Sequence, residues 1–208
     1  GRRVAVAPGV FVPRRRTELI VALGVAALAT RDDRRTPVVV DLCCGCGAVG
    51  AAIAHRAAPV DLYAVDIDPV AVLVAAGNLA SVGAWVTQGD LDAPLPASLR
   101  GRVDLMVSNA PYVPTEAIAA MPREARDHEP RHALDGGDDG LAVLTRVVAI
   151  ADRWLGPSGV LVVEAGAGQA DELAARSRAK DLDARVVHDP DVAGTAVVAR
   201  ARTISRTA

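Results

Sequence analysis

Several absences narrow the 208-residue sequence before any motif is considered. No basic run is longer than Arg14-Arg15-Arg16, and Lys+Arg 23 against Asp+Glu 25 leaves a net charge of −2. The phosphate-tracking surface of a nucleic-acid binder is therefore not expected. Nowhere do 18 apolar residues run uninterrupted, and Gly-Arg-Arg-Val-Ala-Val at the start lacks the apolar stretch of a signal peptide, so neither membrane nor secretion is expected and the chain reads as cytoplasmic. Cysteine is confined to Cys43, Cys44 and Cys46. Three thiols within four positions suit neither a strain-free disulfide nor a four-ligand zinc site, which predicts free thiols in a reducing compartment. His55, His128, His132 and His188 are scattered without metal-ligand spacing and read as structural or exposed, so no metal is expected. Lysine is nearly missing, Lys180 standing alone against 22 arginines, and nothing mechanistic follows from that.

What is present is a regular alternation of buried strands and helices, at a length that suits one domain. Arg3 to Pro8 alternates well enough for a short strand, and Pro8-Gly9 followed by Val10-Phe11-Val12 predicts half of a hairpin over residues 1–16. The opening at Gly1, already strand-like and without methionine, predicts that a segment precedes it. Residues 17–208 form the main domain. Thr17 is placed as the N-cap of an apolar helix ending near Arg31-Asp32-Asp33. Val38 to Leu42 is a strand, followed by the turn Cys43-Cys44-Gly45-Cys46-Gly47 and a helix over Ala48 to Ala57. That unit brings backbone N–H groups and a helix N-terminus toward a ligand. Leu62 to Asp66 is a second strand, and its terminal acid can accept hydrogen bonds from both hydroxyls of a ribose. Pro69 opens the next helix. Strands follow at Trp85 to Gln88, Val103 to Ser108 and Val160 to Glu164, helices at Leu141 to Leu155 and Gln169 to Lys180, and a closing strand pair at 184–188 and 195–199. The segment Thr115 to Gly140, with Glu124, Asp127, His128, Glu129 and Gly136-Gly137, reads as a substrate loop with one short helix. Five βα repeats and a hairpin make an α/β, doubly wound sheet with a reversed final strand and helices on both faces.

The chemistry is expected at Asn109-Ala110-Pro111-Tyr112, which follows the buried run Val103 to Ser108. In open α/β sheets ligands bind at the carboxyl ends of the strands. Asn109 carries an amide acceptor and donor, Pro111 restricts itself and Ala110, and Tyr112 offers a ring face. Acceptors aimed this way match the N–H bonds of a planar amide or amino group. Taken alone, the tetrapeptide is also compatible with an ordinary β-to-α turn.

In combination the motifs resemble those of the protein-(glutamine-N5) methyltransferases, which act on release factors and a ribosomal protein. The resemblance runs from about Gly1 to about Ala199. It rests on Val12-Pro13-Arg14 with Thr17-Glu18, Asp41 to Gly47, Val65-Asp66-Ile67-Asp68, Gly89-Asp90, Asn109-Ala110-Pro111-Tyr112, Glu129-Pro130, Ala133 to Gly137 and Asp139-Gly140-Leu141. It implies the seven-stranded, Rossmann-like sheet of the class I methyltransferases and S-adenosylmethionine as cofactor. Cys43, Cys44, Gly45, Cys46, Gly47, Asp66 and Asn109 would line the cofactor, with Asp90 and Leu91 on its adenine side. A protein presenting a glutamine would be the substrate. Members acting on release factors carry a separate N-terminal helical domain, which these 208 residues lack. Two departures stand out: Cys43 replaces a usual glycine, and Ala110 replaces the first proline of Asn-Pro-Pro-Tyr.

The implied mechanism is positional. An amide nitrogen is a poor nucleophile, and no His or Lys neighbours Asn109 in sequence, so Asn109 and the Ala110 carbonyl would hold the two N–H bonds and aim the nitrogen at the sulfonium methyl. Glu129 reads as a brace for the loop. A nicotinamide dehydrogenase fits less well, because the turn lacks the third glycine of the dinucleotide fingerprint. An adenine-specific DNA methyltransferase would meet nucleic acid with a net negative charge, and a non-catalytic module would leave Asn109 idle.

Overall fold

A computed structural model describes residues 3–121, 123, 126 and 129–201. Seven strands form one sheet: β1 Val38–Leu42, β2 Asp61–Asp66, β3 Trp85–Gln88, β4 Val103–Ser108, β5 Leu155–Glu164, β6 Leu182–Asp189 and β7 Gly194–Ala201. Their order is β3-β2-β1-β4-β5-β7-β6. The first five pair in parallel, and β7 runs antiparallel to both neighbours. This is the class I methyltransferase sheet with its reversed last strand. The chain crosses from β3 to β4 on the other side of β1, so the order reverses between β1 and β4, the point at which such sheets open a crevice at their carboxyl edge.

Strand alternation divides the core into two layers. Val40, Leu42, Met106, Leu161 and Val163 face one way, under α4 (Ala142–Trp154) and α5 (Ala170–Arg178). Val39, Leu105, Val107, Val160 and Val162 face the other, under α1 (Glu18–Ala29), α2 (Ala48–Ala57) and α3 (Pro69–Leu79). All residues of β1 and β4 are buried, as their unbroken apolar runs require of strands covered on both faces.

Three expectations are corrected. Residues 3–14 form neither strand nor hairpin: Ala5 N–H donates to Asn78 Oδ1 (2.8 Å) and Asn78 Nδ2 donates to the Ala5 carbonyl (2.9 Å), so a side-chain amide takes the place of a strand partner. Thr17 stands at the N-cap position of α1 but makes no capping bond, because the 3-10 turn Arg15–Thr17 holds it in a helical conformation. The strand expected at Val160 to Glu164 starts earlier, so that Gly156 to Gly159 lie inside β5, and an irregularity between Val103 and Leu105 absorbs the extra residues. Within 115–140 the described residues include 3-10 turns at Thr115–Ala120 and Arg131–Ala133, and Arg123 and Arg126 are helical, in line with the expected short helix, while Glu124, Asp127 and His128 lie outside the described residues. Among the described residues no helix is long and apolar enough to cross a membrane.

Candidate functional site

At the carboxyl edge of β1, β2, β3 and β4 the chain leaves a cavity. Its lining includes Cys43, Cys44, Gly45, Cys46, Asp66, Asp90, Leu91, Asn109, Ala110, Pro111 and Tyr112. The predicted site residues therefore meet around one space, with one exception. Gly47 is not part of the lining. Its φ of 77° is left-handed, and a Cβ there would come within 3.0 Å of Leu79, so it serves the packing of α2 on α3.

On the β1–β3 side, backbone amides hold the polar groups. Asp66 ends β2 and accepts Gly45 N–H at 2.7 Å on Oδ2 and Asp68 N–H at 3.0 Å on Oδ1. Burial pushes its carboxyl above the ordinary range, against these two bonds. Besides Gly47 the turn carries two more left-handed residues, Cys43 (φ 55°) and Gly45 (φ 54°), and a Cβ on Gly45 would meet nothing within 4 Å. Cys43 thus takes a conformation that disfavours a side chain, which explains why glycine would suit that position. Burial pushes its thiol up to about 12 and raises those of Cys44 and Cys46 as well, so all three stay protonated near neutrality. Deeper in, Asp41 is 1% exposed and accepts Gly50 N–H at 2.9 Å; burial raises its carboxyl to about 7. At the far end Asp90 meets Arg146 Nη2 at 2.7 Å, and Leu91 turns the chain with φ 50°.

On the β4–β5 side, distant side chains do the holding. Asn109 is half-buried, and its side-chain amide has no partner among the described residues. Ala110 is 1% exposed. Tyr112 donates its hydroxyl to Glu164 Oε1 at 2.9 Å, and its carbonyl accepts from Gln169 Nε2 at 2.9 Å. Arg16 donates its Nε to the same Glu164 oxygen at 3.1 Å and lies 5.8 Å from the Tyr112 ring centroid. Burial and the Glu164 carboxylate both raise the Tyr112 phenol, which keeps it protonated. Arg14 lies 5.2 Å from the Phe11 ring centroid and donates to Glu129 Oε1 at 2.6 Å; Glu129 also accepts Val12 N–H at 3.2 Å. Glu129 thus ties residues 12–14 to the loop, in line with its reading as a brace. Gly136 and Gly140 press on the tetrapeptide: a Cβ on Gly136 would fall 2.8 Å from Tyr112 Cα, and one on Gly140 would overlap the Tyr112 carbonyl and the Gln169 amide.

Sequence reasoning missed Arg16, Glu164, Gln169 and His132. His132 was read as structural or exposed; it lines the cavity mouth, its Nε2 3.0 Å from Asp68 Oδ2. Glu164 did carry a signal, since an acid that closes a Val-Leu-Val-Val run repeats the pattern of Asp66 at the end of β2.

Residues 2–128 match the methyltransferase small domain family. The chain is 43% identical over 160 residues to a release factor glutamine methyltransferase of Mycolicibacterium smegmatis, matching 76% of its own length and 55% of that protein. It is 36% identical over 181 residues to the 4-amino-L-phenylalanine/4-methylamino-L-phenylalanine methyltransferase of Streptomyces pristinaespiralis, covering 86% of this chain and 61% of that protein. The chain thus spans about half to two-thirds the length of these relatives. Among solved structures it is similar to the ribosomal protein L11 methylase of Lactobacillus delbrueckii subsp. bulgaricus, with a TM-score of 0.62 and 16% identity over 94% of this chain and 84% of that one.

Proposed function

The chain belongs to the methyltransferase small domain family, and from that premise we propose that it transfers a methyl group from S-adenosylmethionine to the side-chain amide nitrogen of a glutamine in a protein, with a release factor as the class of target. The observation that carries this reading is Asn109. Its amide lines the cavity without a partner among the described residues, just beyond a strand whose residues are all buried. An amide that faces the cavity in this way can bond a ligand group without first breaking an internal hydrogen bond.

The residues present fit the cofactor. Asp66 keeps lone pairs beyond the two backbone bonds it accepts, which suits ribose hydroxyls, and the open side of Gly45 lets backbone approach a ligand. Leu91 and Asp90 would flank the adenine. When bound, the cofactor supplies an electrophilic methyl on a sulfonium. The protein's part is aim. The Asn109 side-chain oxygen and the Ala110 carbonyl would accept the two amide N–H bonds and turn the nitrogen toward that methyl, and such ordering is worth roughly 7 to 11 kcal/mol at its best. Tyr112 would close the slot with its ring. Its hydroxyl is given to Glu164 and its phenol is raised, so it is no base at neutral pH, and the proton leaves after transfer to water.

The similarity to an aminophenylalanine methyltransferase favours a second reading, an arylamine substrate, since an aromatic NH₂ presents the same two N–H bonds. Incubation with radiolabelled S-adenosylmethionine and either a release-factor fragment or 4-amino-L-phenylalanine separates the two. Label on a glutamine, mapped by peptide mass, supports the proposal. Label on the arylamine alone overturns it.

A further inference from the structure

The tetrapeptide that would receive the substrate is anchored from outside its own loop, at one buried oxygen. Glu164 closes β5, is 2% exposed, and through Oε1 accepts both the Tyr112 hydroxyl and Arg16 Nε. Its placement follows from strand register: Ser108 pairs with Val163, so Glu164 lies one residue beyond the last β4–β5 pair, beside the chain as it leaves β4 for Asn109. Arg16 comes from the turn before α1, 148 residues away, and both it and Tyr112 line the cavity that Glu164 does not reach. A carboxylate in this position cannot touch the substrate. It can fix where the Tyr112 ring and the backbone before it stand.

We infer that Glu164 is a positioning residue of the methyl-transfer site: it ties the Tyr112 hydroxyl and Arg16 to the end of β5 and so fixes the orientation of Asn109 and the Ala110 carbonyl. This rests on the glutamine-methylating reading above. Charge-assisted hydrogen bonds are shorter and roughly twice as strong as neutral ones, so one carboxylate oxygen shared by a guanidinium and a phenol makes a stiff anchor. The second oxygen, Oε2, is buried without a partner among the described residues, so the anchor is set by Oε1. The carbonyl of Tyr112 is restrained separately, by Gln169 Nε2. Losing Glu164 would therefore leave the Tyr112 carbonyl as the remaining restraint on this residue and free the ring and the chain that follows it to move. A misplacement of about 1 Å at a reacting group can cost about a hundredfold in rate.

The test compares Glu164→Ala, Glu164→Gln, Tyr112→Phe and the double variant Glu164→Ala/Tyr112→Phe in the full chain. Two readouts are used, methyl transfer to a glutamine peptide and amide hydrogen exchange at Val113, whose N–H is bonded to the Leu134 carbonyl at 2.9 Å. Glu164→Ala is expected to lower kcat about ten- to a hundredfold while S-adenosylmethionine affinity stays within about twofold, and to speed exchange at Val113 while β1 is unchanged. Tyr112→Phe, which removes one oxygen, should reproduce the loss in kind, and the double variant should add little to it. Glu164→Gln, which keeps an acceptor at the same reach, should recover most of the rate. Unchanged kcat and exchange in Glu164→Ala and Tyr112→Phe, additive losses, or faster exchange across the whole sheet would overturn the inference. If Glu164→Ala fails to fold, Tyr112→Phe and Glu164→Gln decide it. A wild type that methylates no glutamine overturns the functional reading instead, and the exchange at Val113 then decides on the anchor by itself.

Discussion

The two sides of the cavity are held by different means. On the β1–β3 side, the inner acids are fixed by backbone amides at most 21 residues away: Gly45 and Asp68 hold Asp66, and Gly50 holds Asp41, while Asp90 at the far end pairs with Arg146. On the β4–β5 side, the tetrapeptide is fixed by side chains 52 and 57 residues away, and Arg16 reaches its anchor across 148. Backbone clamps suit a ligand part that does not vary, because no side chain needs to be retained for them to form. Side-chain anchors suit the part whose target differs between relatives, because each can be exchanged. The names of two relatives share a methyl transfer and differ between a release factor and an amino acid.

The comparison predicts that the two sides fail in different ways. The largest effect is expected for Asn109→Ala. Loss of one acceptor costs about 1 to 3 kcal/mol, roughly tenfold to a hundredfold in rate, and lost aim adds to it, while S-adenosylmethionine affinity stays near that of the wild type. Steady-state kinetics beside calorimetry reads both; a fall in affinity as large as the fall in rate would erase the division. Asp66→Ala should behave in the opposite way. Binding weakens by about 1.5 to 3 kcal/mol, and transfer at saturating cofactor is hurt less. Since burial raises the Asp66 carboxyl, affinity should also drop as pH falls through that raised value and protonation removes the charged acceptor.

A third prediction concerns stability. Asp41 holds a proton to about pH 7 in the folded chain but loses it near 3.9 when unfolded. Between those values the native state binds more protons than the unfolded one, so this group's contribution to stability declines as pH rises through the window and stays low above it. Asp41→Asn keeps an oxygen for Gly50 N–H and removes the titration. It should therefore raise the unfolding free energy at pH 8 by an amount on the order of a few kcal/mol, read from denaturant titrations, and flatten the pH dependence. A variant with the wild-type slope between pH 4 and 7 would remove Asp41 as its source. The smallest effect is expected for Ala110→Pro. Ala110 already precedes a proline and is biased to extended backbone, and its expected acceptor is a carbonyl that proline keeps, so rate and affinity should hold within about twofold. A dead variant would mean that the Ala110 N–H is used.

The same division governs what could be read from the chain. Five parallel strands, the glycine turn and the acid at Asp66 were legible because each is specified within one short segment. Glu164 was not, since its closeness to Tyr112 depends on β4–β5 register, and that register includes an irregularity near Val103 that no local pattern announces. The start misled for a related reason. Alternation over residues 3–8 satisfies a strand pattern, but a strand also needs a partner, and that stretch bonds instead to Asn78 on α3. Thr17 has the right residue type for a cap, yet the preceding turn set its backbone differently.

Gly136 and Gly140 carry a consequence for how such a chain can change over generations. Neither belongs to the cavity lining, yet a single methyl on either would be driven into the backbone of Tyr112 or its neighbours. Drift is open at exposed loop positions such as Asp138 and closed at these two. A saturating substitution library would record both as intolerant although neither meets a ligand, and a survey that ranked positions by distance from the reacting atoms would score them as free to vary.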